Sequence, residues 1–300
     1  MADGDGVTPL PLGLLLYLIL IKMKRYLFII FYLLLTSILF LSCTKDTEEP
    51  IINPLDGLTK LSEGFALGAS AKVEIWAKES FFVGFNTLTI VLFDSVNPTE
   101  KITDAHIHFM PVMTMGMGAM TMQHACPIEN PDELAIDDVF SGAVVFTMPT
   151  TTDGIWKLGV TVHNHKNNKE GEVEFNIMVT NPDPSELTVF TSQSEDSSKL
   201  ILTLVQPKAP KVGMNDIEFT IHKKADMMNF PADDSYTLEI TPEMPSMGHG
   251  SPNNVNPTNT GKGHYKGKVN FTMTGEWKVN VLVKKDGNTV SKNAYFIITF

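Results

Sequence analysis

Apolar and polar residues alternate with a period of two in several short stretches of the chain. Between 265 and 273 the odd positions carry Tyr, Gly, Val, Phe and Met, and the even positions carry Lys, Lys, Asn and Thr. Between 277 and 283 the odd positions are Trp, Val, Val and Val, opposite Lys278, Asn280 and Lys284. Such alternation predicts strands with one buried face and one solvent-exposed face. The turn at Thr274-Gly275 then predicts an antiparallel hairpin.

The same blocks occur twice in the chain. The matched segments are 83–86 with 212–215, 140–148 with 265–273, and 154–162 with 275–283, and each of the last two pairs has five identities in nine positions. Two domains are expected rather than a solenoid, because the repeat is far longer than a solenoid unit. Final strands at 175–179 and 295–300 complete each unit. We therefore predict an all-β fold of two tandem immunoglobulin-like β-sandwich domains, with Trp156 and Trp277 as central packing residues.

The N-terminus has the features of an export signal. Lys24-Arg25 precede an apolar run that ends at Phe40-Leu41-Ser42-Cys43, which is similar to a bacterial lipobox with Cys43 as the acylated residue. We expect 1–43 to be a signal segment, with Met23 as the true start, and an N-terminal membrane hairpin is the alternative. The expected boundaries that follow are a tether at 44–57, sandwich 1 at 58–182 and sandwich 2 at 183–300, after the stiff Pro-containing linker 181–185.

Charge and motifs limit the function. The net charge of −11 argues against nucleic acid as a partner. The chain has two cysteines, and if Cys43 carries lipid, Cys126 has no partner within the chain. There is no HExxH zinc motif, nucleophile elbow or phosphate loop. We expect a protein that is not an enzyme.

A methionine-rich segment follows the predicted strand at 106–110 in the first copy. Six methionines fall between 110 and 122, with glycines among them, and His124 and Cys126 follow. Thioether, imidazole and thiolate are the donors that a soft ion such as Cu(I) selects. The candidate copper ligands are Met113, Met115, Met117, Met122, His124 and Cys126. The alternatives are an apolar contact surface or filler methionine; for His106 and His108, ligand and surface interpretations are equally supported.

The second copy has a shorter set. Met110-Pro111-Val112-Met113 is matched with Met244-Pro245-Ser246-Met247, and Gly248-His249 follows. The candidate ligands are Met244, Met247, His249 and His264. A plain turn with an exposed histidine is the alternative. The other methionines are interpreted as packing residues and the other histidines as surface residues: Met148, Met178, Met214, Met227, Met228, Met273, His163, His165 and His222.

The segments MPSMGHG and HYKGKVNFTMTGEWKVNV resemble the YtkA-like domain, a family related to FixH-type proteins. The resemblance covers 236–283 and, more weakly, 102–162. It implies small extracytoplasmic β-sandwiches, often tethered to the membrane and often encoded with copper or cytochrome-oxidase maturation functions. Together with the soft donors, it predicts two YtkA-like sandwiches in a lipoprotein of the cell envelope that faces the periplasm or the exterior.

Two functions are expected from these features. The first is binding of a copper ion, as Cu(I), for delivery, storage or tolerance. The second is a non-enzymatic module whose methionine-rich loops dock an envelope protein partner. An electron-carrying copper protein is disfavoured, because the spacing of His124 and Cys126 is not that of a blue-copper site. The expected partners are therefore a metal ion, the membrane through the lipid anchor, and an envelope protein.

Overall fold

The computed structural model describes residues 13, 17, 20–28, 53–116, 121–193 and 197–300. The chain divides into two compact units, Met1–Ile52 and Asn53–Phe300. In the first unit, residues 20–28 are helical and exposed. Within the described residues, we find no helix with the length and apolar character needed to cross a membrane. Three expected features lie outside the described residues: the lipobox-like sequence with Cys43, most of the expected tether, and Met117.

The second unit is built almost entirely of β-strands. The first half has β1 to β9, and the second half has β10 to β18. Their bounds are β1 Thr59–Ala66, β2 Ala71–Ala77, β3 Gly84–Asp94, β4 Ala105–Met115, β5 Met122–Ala125, β6 Ile128–Glu129, β7 Phe140–Phe146, β8 Gly154–Asn164, β9 Lys169–Ile177, β10 Leu187–Thr191, β11 Lys199–Gln206, β12 Gly213–Lys224, β13 Tyr236–Met244, β14 His249–Gly250, β15 Val255–Gly261, β16 His264–Phe271, β17 Glu276–Lys285 and β18 Asn288–Thr299. A short 3₁₀ turn, Leu67–Ala69, joins β1 to β2.

Each half forms one five-stranded and one four-stranded antiparallel sheet. The first half has the orders β1-β2-β3-β7-β6 and β5-β4-β8-β9, and the second has β10-β11-β12-β16-β15 and β14-β13-β17-β18. The two orders correspond strand for strand. Each half therefore repeats one architecture, whose loops place equivalent residues at equivalent positions.

The two sheets of each half enclose a hydrophobic core. Trp156 and Trp277 are fully buried, among aromatic and branched side chains drawn from both sheets. Phe146 packs edge-on to Trp156, with ring centroids 5.2 Å apart, and Phe271 lies 5.5 Å from Trp277. Such aromatic groups contribute most of the buried apolar area of a sandwich. The prediction of an all-β, immunoglobulin-like sandwich fold is confirmed.

The predicted hairpin around Thr274-Gly275 is wrong. β16 pairs with β12 in the five-stranded sheet, whereas β17 pairs with β13 and β18 in the four-stranded sheet. The chain therefore crosses from one sheet to the other at this corner. Alternation cannot distinguish the two connections, because either one points Phe271 and Trp277 into the same core.

The outer faces of the two five-stranded sheets also contact each other. Phe85 and Val145 of the first half cluster with Ile201 and Val205 of the second. This contact explains why β11 is buried continuously from Leu200 to Val205, as expected for a strand covered on both faces. The prediction that each sheet has one solvent-exposed face therefore does not hold for the two five-stranded sheets.

Candidate functional site

The methionine-rich segment forms a hairpin of β4 and β5 at one end of the first sandwich. Met113 pairs with His124 across this hairpin, and Met115 pairs with Met122. β4 alternates strictly, so that Ile107, Phe109 and Met113 point into the core. His106, His108 and Met110 therefore lie on the other face of the strand.

The outer face of β4 has its own partners. His108 Nδ1 lies 2.8 Å from the side-chain nitrogen of Asn130, and His106 Nδ1 lies 3.4 Å from a carboxylate oxygen of Glu133. These histidines are thus on the opposite face of β4 from Met113. The structure does not bring them into the methionine cluster.

His124 is buried against Trp156. Its ring is 5% exposed and meets the indole edge-on, with centroids 5.4 Å apart. Nδ1 lies 3.2 Å from the carbonyl oxygen of Ala125, which can only accept a hydrogen bond, so Nδ1 carries the proton. Nε2 has no hydrogen-bond partner among the residues that the structure describes. In the neutral ring that atom presents a lone pair, as in histidines that ligate metals through one nitrogen and donate from the other.

A cavity of 260 Å³ lies beside His124, between the two sandwiches. Four of its lining residues are methionines, and they are contributed by three segments of the chain. Met115 and Met122 come from the hairpin, Met148 follows β7, and Met227 belongs to the turn after β12. The remaining lining residues are Thr147, Val189, Lys199, Ile201, Lys224 and Phe230. The wall is thus mainly apolar, with thioethers, one imidazole and two lysines as its polar or polarisable groups.

Two predicted ligands of the first copy lie in the core instead. Met113 is 1% exposed, and its Cε lies directly over Gly154. Cys126 is 4% exposed, and burial raises the pKa of its thiol well above the usual value, so that it stays protonated. Neither residue lines the cavity. Of the predicted set, the structure brings together Met115, Met122 and His124.

The second sandwich repeats the core part of this arrangement. Met244 pairs with His249 across β13 and β14, and His249 lies edge-on to Trp277 at 5.9 Å. Met244, which is 3% exposed, approaches Gly275 as Met113 approaches Gly154. The structural equivalent of Met244 is therefore Met113, which shifts the sequence-based match with Met110 by three residues.

The predicted ligands of the second copy are not assembled into one site. Met244 is part of the core, whereas Met247 is 60% exposed in a turn held by hydrogen bonds to the Met244 carbonyl. His264 begins β16 in the other sheet. Its ring bonds to Glu129 and Glu218, at 2.8 and 2.6 Å. These carboxylates raise the pKa of His264 to about 9, so its nitrogens carry protons and cannot serve as ligands at neutral pH.

Sequence reasoning missed two of the cavity methionines. Met148 is interpreted as a packing residue because it shares a face with Phe146, and Met227 is interpreted in the same way. Met148 does pack against the first core, and it lines the cavity as well. The position of Met227 depends on the contact between sandwiches, which no local pattern encodes. The packing interpretation is wrong for Met178, which is 73% exposed, and the surface interpretation is wrong for His222, which is 1% exposed.

The described part of the chain has no metal site built from acidic and nitrogen donors. There, no group of three or more His, Cys, Asp or Glu side chains is arranged to hold a metal ion. The donors that meet at the cavity are thioethers and one imidazole.

Comparison with solved structures gives distant similarities. The Escherichia coli adhesin FdeC aligns with a TM-score of 0.23 and 13% identity, over 79% of this chain and 65% of that one. InvD of Yersinia pseudotuberculosis gives 0.24 and 16%, over 74% and 54%. Domains 5-6 of the S-layer protein SbsC give 0.26 and 10%, over 81% and 97%. The chain spans less than two thirds of the length of the first two. No curated protein sequence matches.

One family model matches the second half of the chain. It covers residues 194–282, which include β11 and most of β17, and its description is YtkA-like. The matched region contains the Met244–His249 hairpin, the buried Trp277, and the Met227 turn that lines the cavity. Residues 194–282 are thus a YtkA-like domain.

Proposed function

We propose that this protein binds copper as Cu(I), through the thioethers of Met115 and Met122 and the imidazole of His124. The function is binding for delivery, storage or tolerance, without catalysis. We place the protein in the cell envelope, anchored through a lipid on Cys43, on the basis of the lipobox-like sequence at 40–43.

The observation that carries the proposal is the state of His124. Its Nε2 is buried without a hydrogen-bond partner in the described part of the chain, and the residue lines a cavity together with four methionines. A buried polar atom that lacks a partner costs about 1–3 kcal/mol. A soft cation bound to Nε2 would offset this cost, and the neighbouring thioethers are suitable additional donors.

The methionines suit a monovalent soft ion better than a hard divalent one. Thioether sulfur is uncharged and polarisable, so that it favours Cu(I) over ions that prefer carboxylate or water oxygen. Charge also favours a low-valent ion. Among the described residues that line the cavity there is no carboxylate to neutralise a dication, and two of them are Lys199 and Lys224.

Competition for Cu(I) tests the proposal. The purified chain, under reducing conditions, is titrated against a chromophoric Cu(I) chelator, beside a Met115→Leu/Met122→Leu variant and a His124→Leu variant. Met and Leu have similar volumes, so the fold should tolerate the exchange. Met178→Leu is the matched control, because Met178 is exposed and lies outside the cavity. We expect the control to bind like wild type and the other variants to bind at least about tenfold more weakly.

Equal Cu(I) affinity in wild type and in the Met115→Leu/Met122→Leu variant would contradict the proposal. The second candidate function, docking of an envelope protein, would then be favoured. One observation supports it: Met122 is 65% exposed at the cavity, although methionine is apolar. Leucine would preserve docking and a polar residue would not, so loss of partner capture in Met122→Gln but not in Met122→Leu would identify that function.

A further inference from the structure

The turn that follows β12 in the second sandwich lies against the edge of the first. The amide nitrogen of Ala125 in β5 donates to the carbonyl oxygen of Met227, at 2.8 Å. β5 is the edge strand of its sheet, so its outward backbone groups are available for such a bond. The second sandwich therefore adds Met227 to the strand that carries His124.

The turn itself is tightly bonded. The Ala225 amide donates to the Asn229 carbonyl at 3.0 Å, and the Met228 amide donates to the Asp226 carboxylate at 2.6 Å. These bonds close the chain around Met227 and limit its backbone freedom. Little ordering of the backbone is therefore needed for Met227 to act as a donor.

The cavity requires both sandwiches. The hairpin residues and Met148 form one wall, and Val189, Ile201, Met227 and Phe230 of the second sandwich form the other. Its 260 Å³ exceeds by several-fold the roughly 30 Å³ that one water occupies in the liquid. The space is large enough for an ion and the thioether groups of its lining methionines.

We propose that the metal site bridges the two sandwiches. Met227 of the second sandwich completes the coordination of an ion held by His124 and Met115 of the first, so that one ion fastens the halves together. This inference rests on the proposed function, since it names a ligand of the same site. The ion contacts both halves, so its binding and their association are linked. The free energy by which the ion stabilises the contact between the halves equals the free energy by which that contact strengthens ion binding.

Further interface contacts, beyond that of Met227, hold the halves in place for this role. Phe85 and Val145 pack against Ile201 and Val205, and His264 bonds across the interface to Glu129. Met227 is therefore already positioned at the cavity, and the ion tightens a contact that exists without it.

The test compares two adjacent methionines in the full chain. Met227 lines the cavity, whereas Met228 is 51% exposed and does not. Cu(I) affinity is measured by chelator competition for wild type, Met227→Leu and Met228→Leu, and sulfur ligands are counted by X-ray absorption at the copper edge. We expect Met227→Leu to weaken binding by about tenfold and to remove one sulfur, and Met228→Leu to match wild type.

Hydrogen exchange gives a second measurement. Cu(I) should slow the exchange of amides at 225–229 in wild type and in Met228→Leu, with a smaller effect in Met227→Leu. Wild-type affinity and sulfur count in Met227→Leu, together with weakened binding in Met115→Leu/Met122→Leu, would overturn the bridge and leave the proposed function intact. Absence of Cu(I) binding by wild type would overturn both.

Discussion

His264 of the second sandwich contacts Glu129 of the first through its Nε2, at 2.8 Å from a carboxylate oxygen. The other ring nitrogen lies 2.6 Å from Glu218 in its own sandwich. The hydrogen bond to Glu129, followed by that to Glu218, raises the pKa of His264 to about 9. The imidazolium is only 16% exposed, so water screens these contacts weakly. The pair joins the two halves electrostatically.

This pair predicts a loss of stability at alkaline pH. A histidine in the unfolded chain titrates near pH 6.5. The stabilising contribution is therefore complete below about pH 6.5 and disappears as the pH rises through about 9. We expect it to be about 1–3 kcal/mol. His264→Gln should unfold at a lower temperature than wild type at pH 6, and the difference should diminish by pH 10, as measured by thermal melts across this range.

His165→Gln is the matched control for this experiment. His165 bonds to Asp104 within the first sandwich, at 2.6 Å, and does not join the halves. Equal alkaline losses in wild type and in His264→Gln would show that other groups control stability in this range.

His222 predicts the opposite pH dependence. It is 1% exposed, and neither ring nitrogen has a hydrogen-bond partner within the described ranges. Burial lowers the pKa of His222 to about 4. Its contribution is present above pH 6.5 and is lost as the pH falls through about 4, because the unfolded chain takes up the proton first. Leucine at this position has neither the titration nor the unpaired nitrogens, so His222→Leu should lose less stability between pH 7 and pH 4.5.

Urea denaturation at the two pH values measures the effect. Since His222→Leu also changes packing, the comparison is the pH dependence within each protein rather than the absolute stability. A variant as acid-sensitive as wild type would assign the acid transition to other groups.

The alternation of apolar and polar residues predicted the fold of each sandwich, but it did not predict the contact between the sandwiches. Alternation identified Phe271 and Trp277 as core residues, because the inner face of a sheet is apolar whichever strands pair. It could not reveal that Ile201, on the outer face, is covered by the other half. The cavity depends on the same contact, so the pattern identified Met115, Met122 and His124 and missed Met227.

Replacement of either of two equivalent buried asparagines should destabilise the protein to the same extent. Asn86 accepts a hydrogen bond from the Phe82 amide and donates to the carbonyls of Phe82 and Gly84, at 2.8–3.0 Å. Asn215 makes the same three bonds to Lys211 and Gly213. Alanine leaves these backbone groups without partners, so Asn86→Ala and Asn215→Ala should each cost about 2–4 kcal/mol.

Urea denaturation measures these losses, with Asn176→Ala as the control. Asn176 is exposed in β9, and its replacement should change stability by less than about 0.5 kcal/mol. If Asn86→Ala or Asn215→Ala lowered the free energy of unfolding no more than Asn176→Ala does, water would have to reach the freed backbone groups.

The charges of Lys199 and Lys224 should affect the affinity of the cavity for Cu(I). They are cross-strand partners in β11 and β12, and both line the cavity. Lys224 Nζ lies 5.9 Å from the centre of the Phe230 ring, also in the cavity wall. Two ammonium groups repel any cation that binds there. If Cu(I) occupies the cavity, Lys224→Gln should raise its affinity by about two- to fivefold at low salt, and the gain should shrink as salt screens the charge.

The control for this effect is Lys292→Gln, which changes the net charge equally at an exposed position of β18 outside the cavity. If only net charge mattered, Lys224→Gln and Lys292→Gln would raise Cu(I) affinity equally. If the ion lies beside Met115 and His124, Lys224→Gln should raise the affinity more, because Lys224 is nearby. Chelator competition at two salt concentrations separates these cases. Identical responses of the two variants would place the bound ion elsewhere, because Coulomb repulsion falls with distance and Lys224, unlike Lys292, lines the cavity.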